Sequence, residues 1–176
     1  MNSSAFTLGE EINNRKIRYV LYSNLWDKFI YPDIDLDFSK WRSIKYLNSD
    51  ESDLNDDIAT IPRNIGGLYL FYVKCKIITG MTEFPFYIGR AQLTSGQNLQ
   101  KRVKEYFQKF AKDDERPKIT RMIRYWGADL YLAYYPLPEN EHIINVERDI
   151  INSLLLPMND LIPDKQTKQA IKAFDI

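Results

Sequence analysis

Gly67-Leu68-Tyr69-Leu70-Phe71-Tyr72-Val73, followed by Phe84-Pro85-Phe86-Tyr87-Ile88-Gly89-Arg90, sets the architecture of this chain. From Gly67 to Ile77 the residues alternate or run apolar and are rich in β-branched and aromatic types, which predicts a strand. Phe84 to Ile88 reads as its hairpin partner, with Thr79, Gly80 and Thr82 in the turn. Pro85 falls near the start of the second strand, where a missing donor is tolerated.

Downstream, Asn98 is placed to cap a helix running through Ala111, with Leu99, Val103, Tyr106, Phe107 and Phe110 as its apolar stripe. Pro117 opens a second helix that ends at Gly127, and Asp129 to Tyr135 alternates as a strand. Asn140 is placed to cap a helix from Glu141 to Leu155, ended by Pro157, and Asp164 to cap a short final helix carrying Ala170, Ile171 and Phe174. Upstream, Tyr19, Tyr22, Trp26, Phe29 and Tyr31 are spaced as in a helix over about 13–30, and Asn48 to Asp57 is acidic, polar loop. Strand, strand, helix, helix, strand, helix implies an α+β fold: a small sheet with helices packed on it.

The 176 residues, 44% hydrophobic and 14% aromatic, are enough for one ordinary domain with its own core, which argues against disorder or a disulfide scaffold. Twenty-four basic residues balance twenty-four acidic ones. The balance is uneven: residues 1–60 carry seven basic and eleven acidic side chains, 61–130 thirteen and six, and 131–176 four and seven. The middle third is thus a basic island that a polyphosphate would feel if its charges share a face; scattered solvated charge is the plainer alternative. Cys75 stands alone, so no internal disulfide or cysteine-based zinc site is available, which suits a reducing cytoplasm. The start, Met1-Asn2-Ser3-Ser4-Ala5-Phe6, shows no export signal, and no apolar run is long enough to cross a membrane.

Two charged residues break their local patterns. Glu147 lies on the seam formed by Ile143, Ile144, Ile150, Ile151 and Leu154, where a carboxylate is costly without a partner or a task such as holding a divalent cation. The plainer reading is a rim carboxylate paired with an arginine. Arg102 borders the apolar stripe of its own helix, three after Leu99 and four before Tyr106. If both face one cleft, they divide the labour of phosphodiester hydrolysis, arginine on phosphate and glutamate on metal; if they pair with each other, they are structural. Tyr69 and Tyr87 flank glycines at strand ends, and Arg90 follows Gly89, where backbone and guanidinium can approach a phosphate.

Together these residues resemble the GIY-YIG nucleases. Gly67-Leu68-Tyr69 is similar to the first signature, with Leu in place of Ile, and Tyr87-Ile88-Gly89 matches the second. Arg90 and Ala91 follow as a basic and a small residue do in the DNA-excision-repair members. Arg102 and Tyr106 match the helix pair, Glu147 the metal-binding glutamate and Asn159 the asparagine after that helix. The resemblance covers about 62–162 and departs in two places. Seventeen residues separate Tyr69 from Tyr87, so the hairpin is extended over Ile77 to Glu83, and Tyr106 stands where many members carry His.

The resemblance implies a small, mainly antiparallel sheet of about three strands flanked by helices. It further implies a nuclease domain over 61–162, with 1–60 as an extension for interaction, dimerisation or DNA wrapping and 163–176 as a C-terminal helix. It implies one Mg²⁺ or Mn²⁺ on Glu147, no organic cofactor, and double-stranded DNA as partner. Tyr69 becomes the proton acceptor, its phenol lowered by a nearby cation, with Tyr87 and Tyr106 positioning water and phosphate, and Arg90 and Arg102 on phosphate. Lys101, Lys104, Lys118, Arg121, Arg124 and Asn159 are expected at the nucleic acid. A homodimer is expected if both strands are cut. A restriction or phage-defence endonuclease comes first, ahead of a repair-type nicking nuclease and of a DNA-binding protein on the same fold that no longer cuts. His142 is expected at the surface and Cys75 in the core.

Overall fold

The computed structural model describes residues 4–31 and 33–174, so the reading of Met1 to Ser3 and the last two residues of the C-terminal segment lie outside it. The hairpin forms as β2 (Gly66–Lys74) and β3 (Glu83–Ala91), and β4 (Leu130–Leu137) pairs antiparallel with the other side of β2. A fourth strand, β1 (Arg42–Lys45), pairs antiparallel with β4, giving one open sheet in the order β1-β4-β2-β3. The expected count of about three strands is therefore low by one. Arg42-Ser43-Ile44-Lys45 is too short and too polar to announce a strand, and it reads as one only because β4 offers it an edge.

Helices α3 (Leu99–Ala111) and α4 (Pro117–Trp126) cover one face of the sheet, and α5 (Asn140–Leu154) covers the other. Period-two alternation sorts the strand residues: Tyr69, Phe71, Leu132 and Tyr134 join the α3 and α4 side, while Leu68, Leu70 and Leu137 join the α5 side. One irregularity alters this in β3. Phe71 pairs with Tyr87 and Tyr72 with Pro85, so Phe86 is an extra residue in a bulge. The bulge lets Phe86 and Tyr87, adjacent in sequence, both enter the core on the α3 and α4 side. Phe86 meets Trp126 edge-on at 5.0 Å, and its carbonyl accepts from Met158 N at 2.9 Å.

Asn98 caps α3 as expected, accepting from Lys101 N at 2.8 Å, and Asp164 caps α6 (Lys165–Phe174) through Thr167 N at 2.6 Å. Asn140 does not cap α5. Its amide instead makes two 2.9 Å hydrogen bonds to the backbone of Leu93, tying the loop after β3 to the start of that helix. Leu154 is 41% exposed, and Val146 takes its place in the buried seam.

The helix expected over about 13–30 is replaced by α1 (Ala5–Asn14), an extended run and the single turn α2 (Ser23–Trp26). The aromatic spacing has another cause: the segment wraps the domain. Tyr19 packs on the α3 and α4 side, and Phe29 and Tyr31 pack on the α5 side, where Tyr31 donates to Asp149 at 2.7 Å. The acidic stretch is loop closed by a Leu47–Leu54 bridge, and Ile58 after it is buried. Residues 42–61 are thus built into the same sheet and core as the rest. Cys75 is half-buried in the hairpin loop, and His142 is half-buried beside the Tyr31 ring at 6.1 Å. No helix among the described residues is long and apolar enough to cross a membrane.

Tyr46, just past β1, has the longest reach. Its fully buried hydroxyl donates to Val103 O at 2.8 Å and accepts from Phe107 N at 3.1 Å, the two groups that an uninterrupted helix joins directly. The N-terminal third therefore fixes α3 between Arg102 and Tyr106. Tyr46→Phe is expected to cost about 1–3 kcal/mol, because two buried polar groups lose a partner, and urea unfolding of the variant beside the parent measures it.

Candidate active site

Tyr69 on β2, Tyr87 on β3 and Tyr106 on α3 bring their hydroxyls together beneath a cleft of about 720 Å³. Tyr106 is the bridge, 2.7 Å from Tyr69 Oη and 3.1 Å from Tyr87 Oη. The rings meet Tyr106 edge-on at 5.9 and 5.8 Å, so they are held by packing as well as by hydrogen bonds.

Gly89 explains why the first tyrosine fits. It pairs with Tyr69 across the hairpin, and a Cβ on it would stand 2.6 Å from Tyr69 Cζ. The phenol lies over the bare backbone of β3, and no larger residue leaves it that place. Asn159 holds the same stretch from outside: its amide accepts from Ile88 N at 3.1 Å and donates to Ile88 O at 2.9 Å. Asn159 borders the cleft but is 7% exposed, with both polar atoms engaged on the strand, so its visible work is to fix β3.

Four guanidinium groups line the cleft, each with a carboxylate beside it, Arg148 with the adjacent Asp149 at 2.7 Å among them. Arg90 is ion-paired with Glu147, Arg102 with Glu105 at 3.0 Å, and Arg116 with Glu115 at 3.3 Å. Arg102 and Glu147 therefore do not pair with each other; each has its own partner and both face the same space. Because β3 is an edge strand, α3 and α5 on opposite sheet faces meet across it, which brings Glu147 to the tyrosines. Burial lifts the Glu147 carboxyl above the ordinary value, with Arg90 and then Arg102 working against that rise.

Arg102 Nε donates to Tyr69 Oη at 3.4 Å, and its guanidinium stands 5.3 Å from the Tyr106 ring centre. Burial nonetheless pushes the Tyr69 phenol well above its usual range, Arg102 only partly offsetting it, and Tyr106 is raised for the same reason. The lowered phenol expected of a proton acceptor at Tyr69 is not found.

The structure brings Tyr69, Tyr87, Arg90, Arg102 and Glu147 to one cleft with Tyr106 behind them, and disperses the other expected cations. Lys101 donates to Gly96 O beside the cleft. Lys104 borders the loop at 53–59 instead. Arg121 spends its donors on Asn14 O and Lys16 O, clamping the N-terminal segment, and Lys118 pairs with Asp160 at 3.2 Å. Arg124 is exposed on α4. Sequence reasoning missed Arg116 and Glu105. Glu105 was visible as the i+3 partner of Arg102; Arg116, in a charged turn, carried no signal. No protein-family model, no curated protein and no solved structure matches this chain.

Gly89→Ala is expected to evict the Tyr69 ring and cost about 1–3 kcal/mol, as other overpacked cores do. Denaturant unfolding gives the cost, and a changed near-ultraviolet dichroism of the tyrosines marks the displacement.

Proposed function

We propose that the chain is a metal-dependent endonuclease of the GIY-YIG kind that hydrolyses DNA phosphodiester bonds, a restriction or phage-defence enzyme in type. One arrangement carries the reading: a chain of three tyrosine hydroxyls ending under a cleft walled by Arg90, Arg102 and Glu147. Hydrolysis forms a bond from a water oxygen to phosphorus and breaks the bond from phosphorus to the 3′ oxygen. The water loses one proton to a tyrosine oxygen, and the leaving oxygen takes one from solvent. Arg90 and Arg102 suit the phosphate, since planar guanidinium donors match its oxygens two at a time. Tyr69 and Tyr106, kept protonated by burial, suit the task of fixing the hydroxyl chain.

The donor set fits a divalent cation held by one carboxylate. Glu147 gives one oxygen to Arg90, and its Oε1 has no hydrogen-bond partner among the described residues. No group of three or more His, Cys, Asp or Glu that could hold a metal occurs among the described residues, and Glu147 is the residue that would hold the ion here. Mg²⁺ and Mn²⁺ accept such a site because they keep water and complete their shell with substrate phosphate. When bound, such an ion supplies electrostatic stabilisation of the leaving 3′ oxygen. Lys101, Lys104, Lys118, Arg121 and Arg124 add long-range attraction that weakens with salt. A single site cuts one strand, so double-strand cleavage calls for a homodimer.

Supercoiled plasmid incubated with the protein and Mg²⁺ tests the reading. Linear fragments of fixed size are expected, and Glu147→Ala is expected to reduce them to background. Nicked circles alone move the protein to the repair-type class; intact plasmid that is retarded in a gel leaves a DNA-binding protein and sinks the enzymatic reading.

A further inference from the structure

Arg116 lines the cleft, yet it matches none of the motif residues. It precedes α4, with Pro117 in the first helical position behind it. Its Nη2 donates to Tyr87 Oη at 3.4 Å, and its guanidinium carbon lies 5.5 Å from the Tyr87 ring centre and 6.0 Å from that of Tyr106. We propose that Arg116 is a positioning residue that aims and polarises Tyr87 as the proton acceptor of phosphodiester hydrolysis, so that two phenol–guanidinium pairs, Tyr69–Arg102 and Tyr87–Arg116, work through Tyr106. This rests on the endonuclease reading and assigns its base.

The geometry behind Arg116 is that of a built device. Glu115 has a side chain only 4% exposed, and one of its oxygens accepts from Arg116 N at 2.8 Å and from Arg116 Nε at 3.3 Å. A carboxylate so buried is costly unless it is engaged, and here its engagement turns the outer edge of the guanidinium to Tyr87. Hydrogen-bond direction is consistent with the assignment. Either hydroxyl can be the donor in the Tyr69–Tyr106 and Tyr106–Tyr87 bonds; in the order that starts from the Arg102 N–H, Tyr69 donates to Tyr106 and Tyr106 to Tyr87, and Arg116 adds a second donor to the Tyr87 oxygen. In that order the Tyr87 oxygen is met by two donors, one from Tyr106 and one from Arg116.

Tyr69 could be served by the mirror-image order of the same bonds, but its ring is fully buried, whereas Tyr87 keeps 7% exposure. The charged and titratable groups around Tyr87 and its cleft are Tyr69 from β2, Tyr106 and Arg102 from α3, Arg116 with Glu115 from the turn before α4, Arg90 of β3 with Glu147 and Arg148 of α5, and Asp160 from the loop after α5. In the reaction the attacking water gives its proton to the Tyr87 oxygen as its own oxygen bonds to phosphorus, and the P–O3′ bond breaks. The neutral phenol then returns the proton to solvent.

Steady-state cleavage by Arg116→Gln, Arg116→Lys and Glu115→Gln tests this. Arg116→Gln is expected to lower kcat about 10²-fold with little change in KM for DNA, the scale seen when one aimed donor is lost at a reacting centre. The acid limb of its kcat–pH profile should move to higher pH, because the base has lost its cation. Arg116→Lys should restore part of both, Glu115→Gln should show a smaller effect of the same sign, and thermal unfolding should show that each variant is folded. An unmoved pH profile, or a loss confined to KM, overturns the assignment and leaves Arg116 a phosphate contact while the endonuclease reading stands. A wild-type protein that cuts no DNA overturns both.

Discussion

The hydroxyl of Tyr106 is the joint on which the cleft depends. It is the point where α3 touches β2 and β3 through polar atoms inside an otherwise apolar core. A buried hydroxyl without partners would weigh against folding, so the three phenols must meet or none can be buried there. That requirement explains its surroundings. Gly89 yields space to one ring, the bulge at Phe86 turns another inward, and Asn159 stops the edge strand from drifting. Removing any of these loosens a hydrogen-bond chain before it removes a charge.

The cleft is lined by guanidinium groups that are not left as bare charges. Each is paired, yet three of the pairs keep a side chain roughly a third exposed, 36% for Arg90, 35% for Arg102 and 38% for Arg116. The arginine ends of these pairs are wet, while the Glu115 and Glu147 ends are only 4% and 12% exposed and depend on their arginines. The pairing is also geometric: the carboxylate sets the direction of a planar donor, and a phosphate can compete for that donor because solvent already does. Glu147 differs from the others in being on a separate element, so an anion that draws Arg90 away also uncovers a carboxylate.

Much of this was legible in the residues. The hairpin, both capped or proline-started helices on the tyrosine face, β4 and the helix bearing Glu147 follow from period, caps and breakers, since these elements bury a face that their own sequence spells out. What escaped depends on partners distant in sequence. Arg42 to Lys45 forms a strand because β4 has an unpaired edge. Tyr19, Phe29 and Tyr31 mimic a helical stripe while serving opposite faces of the sheet. Asn140 had the form of a cap and found Leu93 instead. Arg121 and Lys104 counted toward one basic face, and the structure sets Arg121 against the N-terminal segment and Lys104 beside the loop at 53–59, because charge totals along a chain say nothing of direction. Arg116 gains its meaning only from two rings that are nowhere near it in sequence.

Tyr46 also decides what counts as the minimal working unit. A chain cut to begin at residue 61 retains the motif residues but loses an edge strand, the buried Ile58 and the clasp on the middle of α3. Grafting or trimming of this module therefore has to join upstream of β1, and any chimera that keeps only the motif-bearing portion inherits its chemistry without the brace that holds it in register.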